Sequence, residues 1–371
     1  MEKLRDWAGL PRDMLECISN RLDDPEDFIS FRFVCSQWRM AIKRDGHALF
    51  HPWILKSDEV GVEGNVVFDC LNSEKVREIH VQALKGRKTR LVGFGAGHLI
   101  AVDWDDELSG VLVNPLTNES TTLPRLPEWL CGGCITGFAT DPKMTGEDDV
   151  FVVIYRYRWW RDGEDNMVAI WRCGSGAGWA TIPFRRFWPA MPRLRRRLAE
   201  HGPTALEDEA AAAADGGIHW PLDEQDAHVI EHQGKVCLLS RLEFVWYPPV
   251  SFTLQDMLRE NLTLVDWDDA PELHGKIILQ TWNLNPCYVL PARDGFTGLS
   301  GKNCIYFFSW QYHTETNKEE FCLFKWDFLE RVSTVVKKMP YGWSRAHERW
   351  FLPNLKSSSG KGMLDLCPIY S

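Results

Sequence analysis

Apolar residues recur every three or four positions between Leu10 and Ile42, and after about residue 60 that period gives way to short runs in which they crowd together. The first pattern is helical and the second strand-like. Met14, Leu15, Ile18 and Leu22 step along one side of a helix that starts just after Leu10-Pro11. Asp24 is placed to cap a second helix, with Pro25 at its first position and Glu26 and Asp27 in its first turn, where the helix dipole favours negative charge. Phe28, Phe31, Val34, Cys35, Trp38 and Ile42 keep the three-and-four spacing through that second helix, leaving Arg32, Gln37 and Arg39 to face water. Two amphipathic helices spanning about 45 residues sit near the size, about 40 residues, below which a chain seldom folds alone. The segment therefore needs a surface to lean on, either the rest of this chain or a partner.

Downstream, β-branched and aromatic runs alternate with Gly, Asn, Asp and Pro. Strands are predicted at Val66 to Asp69, Glu78 to Gln82, His98 to Trp104, Gly110 to Val113, Ile135 to Thr140, Val150 to Tyr157 and Met167 to Cys173. Others follow at His228 to Glu231, Lys235 to Ser240, Lys276 to Trp282, Cys304 to Trp310 and Phe321 to Trp326. Gln233-Gly234 and the polar stretch Arg161 to Asn166 each separate two strands in the manner of a hairpin. Many short strands with little helix among them predict an all-β domain of repeated hairpins or four-stranded sheets, for which a β-propeller best fits the length. The 18 tryptophans suit it, since large rings fill the space between neighbouring sheets. Val-Asp-Trp-Asp-Asp occurs at Val102 to Asp106 and again at Val265 to Asp269, marking either equivalent places in two blades or a coincidence. The expected layout is a small all-α domain over 1–50 and a large β-domain over 60–371. Residues 185–217 stand apart as an inserted loop: Arg185, Arg186, Arg193 and Arg195 to Arg197 precede an acidic and alanine-rich stretch.

Leu10-Pro11, the Leu15/Ile18/Leu22 ladder, Asp23-Asp24-Pro25 and Arg32-x-Val34-Cys35-x-x-Trp38-Arg39 together resemble the F-box, the motif that docks on the Skp adaptor of SCF-type ubiquitin ligases. The resemblance runs from about Leu4 to Arg44; its main departure is a second helix with Phe28, Phe31 and Phe33 where leucines are commoner. The rest is similar to a plant family in which an F-box precedes a domain thought to be a β-propeller. The landmarks are Gly93-x-Gly95-x-Gly97-His98-Leu99, Val111 to Thr117 with its Asn114-Pro115 turn, Leu123-Pro124, Gly298 to Phe307, and Trp350-Phe351-x-Pro353.

Composition narrows the partners. The 371-residue chain is 44% hydrophobic, enough for a substantial core, and its formal charge of −10 argues against a general nucleic-acid binder. Asp6, Arg12, Asp13 and Glu16 interrupt any signal-peptide pattern, and no run of about 18 apolar residues occurs, so a soluble protein of the cytoplasm and/or nucleus is expected. Eleven scattered cysteines, mostly within apolar runs, fit reduced core residues; Asn118-Glu-Ser120 and Asn261-Leu-Thr263 are then unmodified.

Catalytic patterns are missing. Cys131-Gly-Gly-Cys134 has the spacing of half a zinc site without a second half. Gly93-Phe-Gly95-Ala-Gly97 and Gly174-Ser-Gly176-Ala-Gly178 open no helix and read as glycine-rich β-turns, and Gly301-Lys302 lacks the rest of a P-loop. No Gly-x-Ser-x-Gly elbow occurs, the pairs His228/His232 and His47/His51 read as surface histidines, and Asp103, Asp105 and Asp106 do not follow a calcium-loop spacing. The expectation is therefore a non-catalytic substrate-recognition subunit with no cofactor, no metal, no nucleic acid and no membrane among its partners. The resemblance implies docking on a Skp-type adaptor, and through it a cullin, by Leu10, Pro11, Met14, Leu15, Ile18, Leu22, Val34, Cys35 and Trp38. The β-domain would hold an unidentified target protein. The alternatives are an enzyme or small-ligand receptor built on the propeller, and an F-box scaffold that does not direct ubiquitination.

Overall fold

The computed structural model describes residues 7–22, 24–42, 50–71, 76–132, 134–140, 150–157, 167–183, 227–232, 235–242, 251–256, 263–265, 267, 270–281, 286–292, 299–313, 318–340 and 349–355. The expected insertion at 185–217 lies outside them.

Three short helices come first, α1 (Arg12–Ser19), α2 (Pro25–Phe33) and α3 (Ser36–Ala41). Asp24 caps α2 as predicted: its Oδ1 accepts from the Glu26 N–H at 2.8 Å, and Pro25 stands at the first turn. The long second helix predicted through Ile42 is instead two. Cys35 is extended, and its Sγ accepts from the Trp38 N–H at 3.5 Å, which starts α3 afresh. Phe28, Phe31, Trp38 and Ile42 all pack in one cluster across the break, so the apolar spacing passes through it unmarked. Arg32, expected in water, donates to the Ile42 carbonyl and ties the end of α3 back to α2.

The rest is strand. The chain runs through β1 (Trp53–Leu55), β2 (Glu59–Val60), β3 (Asn65–Cys70), β4 (Val76–His80), β5 (Thr89–Gly95), β6 (His98–Asp103), β7 (Gly110–Val113) and β8 (Ser120–Thr122). It continues through β9 (Cys134–Ala139), β10 (Phe151–Tyr157), β11 (Met167–Arg172), β12 (Ala180–Pro183), β13 (Ala227–His232), β14 (Lys235–Leu242), β15 (Ser251–Asp256) and β16 (Thr263–Val265). Last come β17 (Lys276–Leu279), β18 (Pro286–Pro291), β19 (Cys304–His313), β20 (Lys318–Asp327), β21 (Val332–Lys338) and β22 (Trp350–Phe351). One sheet has the order β22-β1-β3-β4, a second β12-β11-β10-β9-β5-β6-β7-β8, and a third β16-β15-β14-β13-β18-β17-β19-β20-β21.

Successive residues of one strand enter different cores. On β6, Leu99 and Ala101 pack with Trp53, Phe68 and Phe351, while Ile100 and Val102 pack with Val152 and Ile154. On β19, Tyr306 and Phe308 join Ile54 and Trp350, and Ile305 and Phe307 join Ile230. Sheets thus stack face to face with both faces covered, which is why the strands read as crowded apolar runs rather than strict alternation. The circuit is closed by β22, which pairs antiparallel with β1, Phe351 opposite Trp53 and Trp350 opposite Ile54. Arg349, just before it, is half-buried and donates to the Leu91 carbonyl at 2.8 Å and to Asp58 at 3.3 Å.

Every predicted strand overlaps an observed one, and the glycine-rich turn expected at Gly93 to Gly97 is one at Ala96-Gly97, while Gly93 to Gly95 form the end of β5. This strand meets β9 in parallel, Gly93 opposite Gly137, and a Cβ on Gly93 or Gly95 would fall on the backbone of Gly137 or Ala139. Close approach of two backbones demands glycine there and removes the side chains that mark a strand. The two Val-Asp-Trp-Asp-Asp copies occupy unlike places. One leaves β6, the second strand of its meander, with Trp104 exposed; the other leaves β16, the last of its own, with Trp267 stacked on Phe328 at 3.9 Å.

His98, at the start of β6, is buried with its Nδ1 2.9 Å from the Ala96 carbonyl, and its Nε2 has no partner among the described residues. Burial pulls its pKa from 6.5 down to about 4. A group protonated more readily in the unfolded chain makes stability rise with pH between those values, so stability is full above pH 6.5 and falls toward pH 4. The gap corresponds to about 3 kcal/mol. Urea melts from pH 7 to pH 4 are expected to show a His98→Asn variant losing less stability than the parent by about that amount; parallel losses would show that His98 does not titrate in this window.

Candidate docking site

The three helices are built around Leu15, Phe28, Phe31 and Ile42, joined in the same buried cluster by Phe50 and by Leu355 from far along the chain. Phe28 meets Phe50 edge to face at 5.5 Å, and Phe31 packs on Trp38 at 4.6 Å. Leu10, Leu22 and Trp38 lean on this cluster half-buried, as does Leu116 from the β7–β8 turn. Trp38 also donates from Nε1 to the Trp7 carbonyl at 3.1 Å.

The nine predicted docking residues are thereby divided. Leu15 is 0% exposed and offers no surface; Leu10, Leu22 and Trp38 mostly serve the helical core, and Cys35 caps α3. Pro11, Met14, Ile18 and Val34 face outward, Met14 being 53% and Val34 57% exposed. Pro11, Met14 and Ile18 are spaced to share one side of α1. Phe33 and Met40, 76% exposed in the latter case, also project apolar surface and were not predicted. The signal for them was present: an apolar residue off the periodic stripe has no core to enter.

One arginine fixes this module to the β-domain. Arg77 of β4 pairs with Asp24 and Glu26 at the start of α2, donates from Nε to the Cys70 Sγ at 3.0 Å, and lies 5.1 Å from the centre of the Trp53 ring. Burial alone would depress its guanidinium, but Glu26 and Asp24 hold it above its usual value. Asp24 serves twice, its Oδ1 capping α2 and its Oδ2 taking Arg77.

Elsewhere, no group of three His, Cys, Asp or Glu side chains is placed to hold a metal among the described residues. Among the described residues Cys17, Cys35, Cys70, Cys131, Cys173, Cys287, Cys304 and Cys322 stand outside any disulfide; Cys70, Cys287, Cys304 and Cys322 are buried, whereas Cys17 and Cys131 are exposed. His51, read as a surface residue, is buried with its Nδ1 3.0 Å from the Pro52 carbonyl; His47 lies outside the described residues, as do the side chains of His228 and His232. Asp103 folds its own turn, its Oδ1 accepting from the Asp105 and Asp106 N–H groups. Asn118 is committed to structure, its Oδ1 accepting from the Gln82 N–H at 2.9 Å. Among the described residues no helix is long and apolar enough to cross a membrane.

Three small helices on a large β-domain of stacked, closed sheets define the class: an F-box joined to a β-propeller. The F-box domain model matches residues 7–47, and a model described as the KIB1-4 beta-propeller matches residues 67–325, more than half of the chain. The chain belongs to the KIB1-4 beta-propeller family. It is similar to F-box protein SKIP23 of Arabidopsis thaliana, 27% identical over 122 residues, which are 32% of this chain and 29% of that protein. F-box protein At2g17036 of the same plant is 53% identical over 38 residues, 10% of this chain and 9% of its own. The chain thus matches less than a third of the length of either relative. A crystal structure of the tricorn protease covers 82% of this chain and 32% of its own at 9% identity, with a TM-score of 0.26.

Proposed function

We propose that this chain is the substrate-recognition subunit of an SCF-type ubiquitin ligase, docking on a Skp-type adaptor, and through it a cullin, by its N-terminal helices and holding a target protein on its β-domain. The observation that carries the reading is the division of the F-box: one set of apolar residues is spent on its own core, and another stands in water with no core to enter. Pro11, Met14, Ile18 and Val34 are the proposed contacts, with Phe33 and Met40 beside them. Leu10, Leu15, Leu22, Cys35 and Trp38 act from behind by holding the helices in shape. The chain itself does no chemistry in this reading; it supplies proximity between the ligase and a protein in the cytoplasm or nucleus.

The test is reconstitution. The full chain, mixed with a Skp-type adaptor and a cullin, is expected to co-elute with both by size exclusion, and protein captured by the chain in cells is expected to gain ubiquitin in the assembled ligase. Failure to co-elute would sink the docking reading. Co-elution with no ubiquitin on any captured protein would leave a scaffold in its place.

A further inference from the structure

The helical module does not own its whole core. Leu355, 5% exposed, stands in the same cluster as Leu15, Phe28 and Phe31, yet it reaches that place from β22, the strand that closes the circuit of sheets on β1. Of the three residues between, Leu352 and Asn354 are held along their course. Leu352 is buried with the cluster of Ile54 and Trp350, and the Asn354 carbonyl accepts from the Asn114 Nδ2 at 2.8 Å. A Cβ on Gly97, which has φ +75°, would collide with Asn354, so the β5–β6 turn is shaped around this segment. Asn114 in turn accepts on Oδ1 from the Leu116 and Thr117 N–H groups, setting the turn that carries Leu116 to the helices.

From this we infer that the adaptor-docking face is completed only when β22 has closed the β-domain, which makes docking a report on the integrity of the whole fold. The inference rests on the docking reading above. A helical unit this small is marginal alone, and here the missing apolar surface comes from residues set by ring closure. With β22 in place, Leu355 fills the base of the cluster and α1 and α2 present their outer side in fixed geometry. With β22 released, Leu355 leaves, and Leu15 and Phe28 lose a neighbour that no residue of the module replaces.

The experiment uses the full chain with Leu355→Asp and, as a milder change that avoids a buried charge, Leu355→Ala. Hydrogen exchange of the backbone amides and affinity for a Skp-type adaptor are both measured. Coupling predicts that amides of Leu15 to Ser19 and Phe28 to Phe31 exchange at least about tenfold faster in Leu355→Asp, with Leu355→Ala between it and the parent, while β6 and β7 amides keep their protection. Adaptor affinity is expected to fall in the same order. Unchanged exchange in the helices would overturn the inference, as would faster exchange with adaptor affinity untouched. If the parent itself does not bind the adaptor, the docking reading fails by that result, and the inference that docking reports closure falls with it; the exchange arm then still shows whether the helices depend on Leu355.

Discussion

A chain carrying Ile18→Asp and Val34→Asp is expected to bind a Skp-type adaptor about a thousandfold more weakly than the parent, a loss of about 4 kcal/mol, while remaining folded. Both side chains are exposed, on α1 and at the end of α2, so neither substitution opens a cavity or buries a charge in the free protein. Their cost falls on the complex, where an ionised carboxylate would be driven against an apolar surface with no partner. Isothermal titration gives the affinity, and the far-ultraviolet spectrum and melting temperature give the control. An affinity within threefold of the parent would remove Ile18 and Val34 from the interface. Trp38→Ala or Leu15→Ala would answer less clearly, since each breaks the packing behind the face: Leu15 is fully buried and Trp38 packs on Phe31.

Trp350→Ala is expected to destabilise the fold by about 4–6 kcal/mol, which combines the cost of emptying a buried aromatic site with that of a lost hydrogen bond. The ring is fully buried, 5.3 Å from Phe308, and donates from Nε1 to the Gln280 carbonyl at 2.9 Å. It lies in a strand of only two residues, which has little else to hold it against β1. Chemical denaturation followed by tryptophan fluorescence measures the loss. A change below about 1 kcal/mol, the size of an ordinary surface substitution or less, would mean that closure of the sheets does not depend on this side chain.

Much of this architecture is legible in the chain because local chemistry and tertiary packing agree. Asp24-Pro25 is read as a helix start and is one; the long runs at Val150 to Tyr157 and Cys304 to Trp310 are read as strands and are. Legibility fails where two structures share one pattern. The break at Val34-Cys35 is silent because both short helices keep apolar residues toward one cluster. The end of β5 is silent for the opposite reason, since Gly93 and Gly95 serve a backbone approach and carry no side-chain pattern. In the candidate docking site, adjacent positions Met14 and Leu15 are equally apolar, yet one faces water and the other the core. Periodicity finds the helix but does not tell which of two apolar sides is turned inward, because that depends on Phe50, Leu116 and Leu355, which lie outside the motif.

The position of Leu355 also has a meaning in time. Leu15 and Leu355 share one cluster although 340 positions separate them along the chain. At a synthesis rate of about 5–20 residues per second, the helices emerge roughly 17 to 68 s before the leucine that completes their core. On the proposed reading, a chain still being translated would carry its docking helices without the core that holds them firm, and a chain stopped short of β22 would never complete that core.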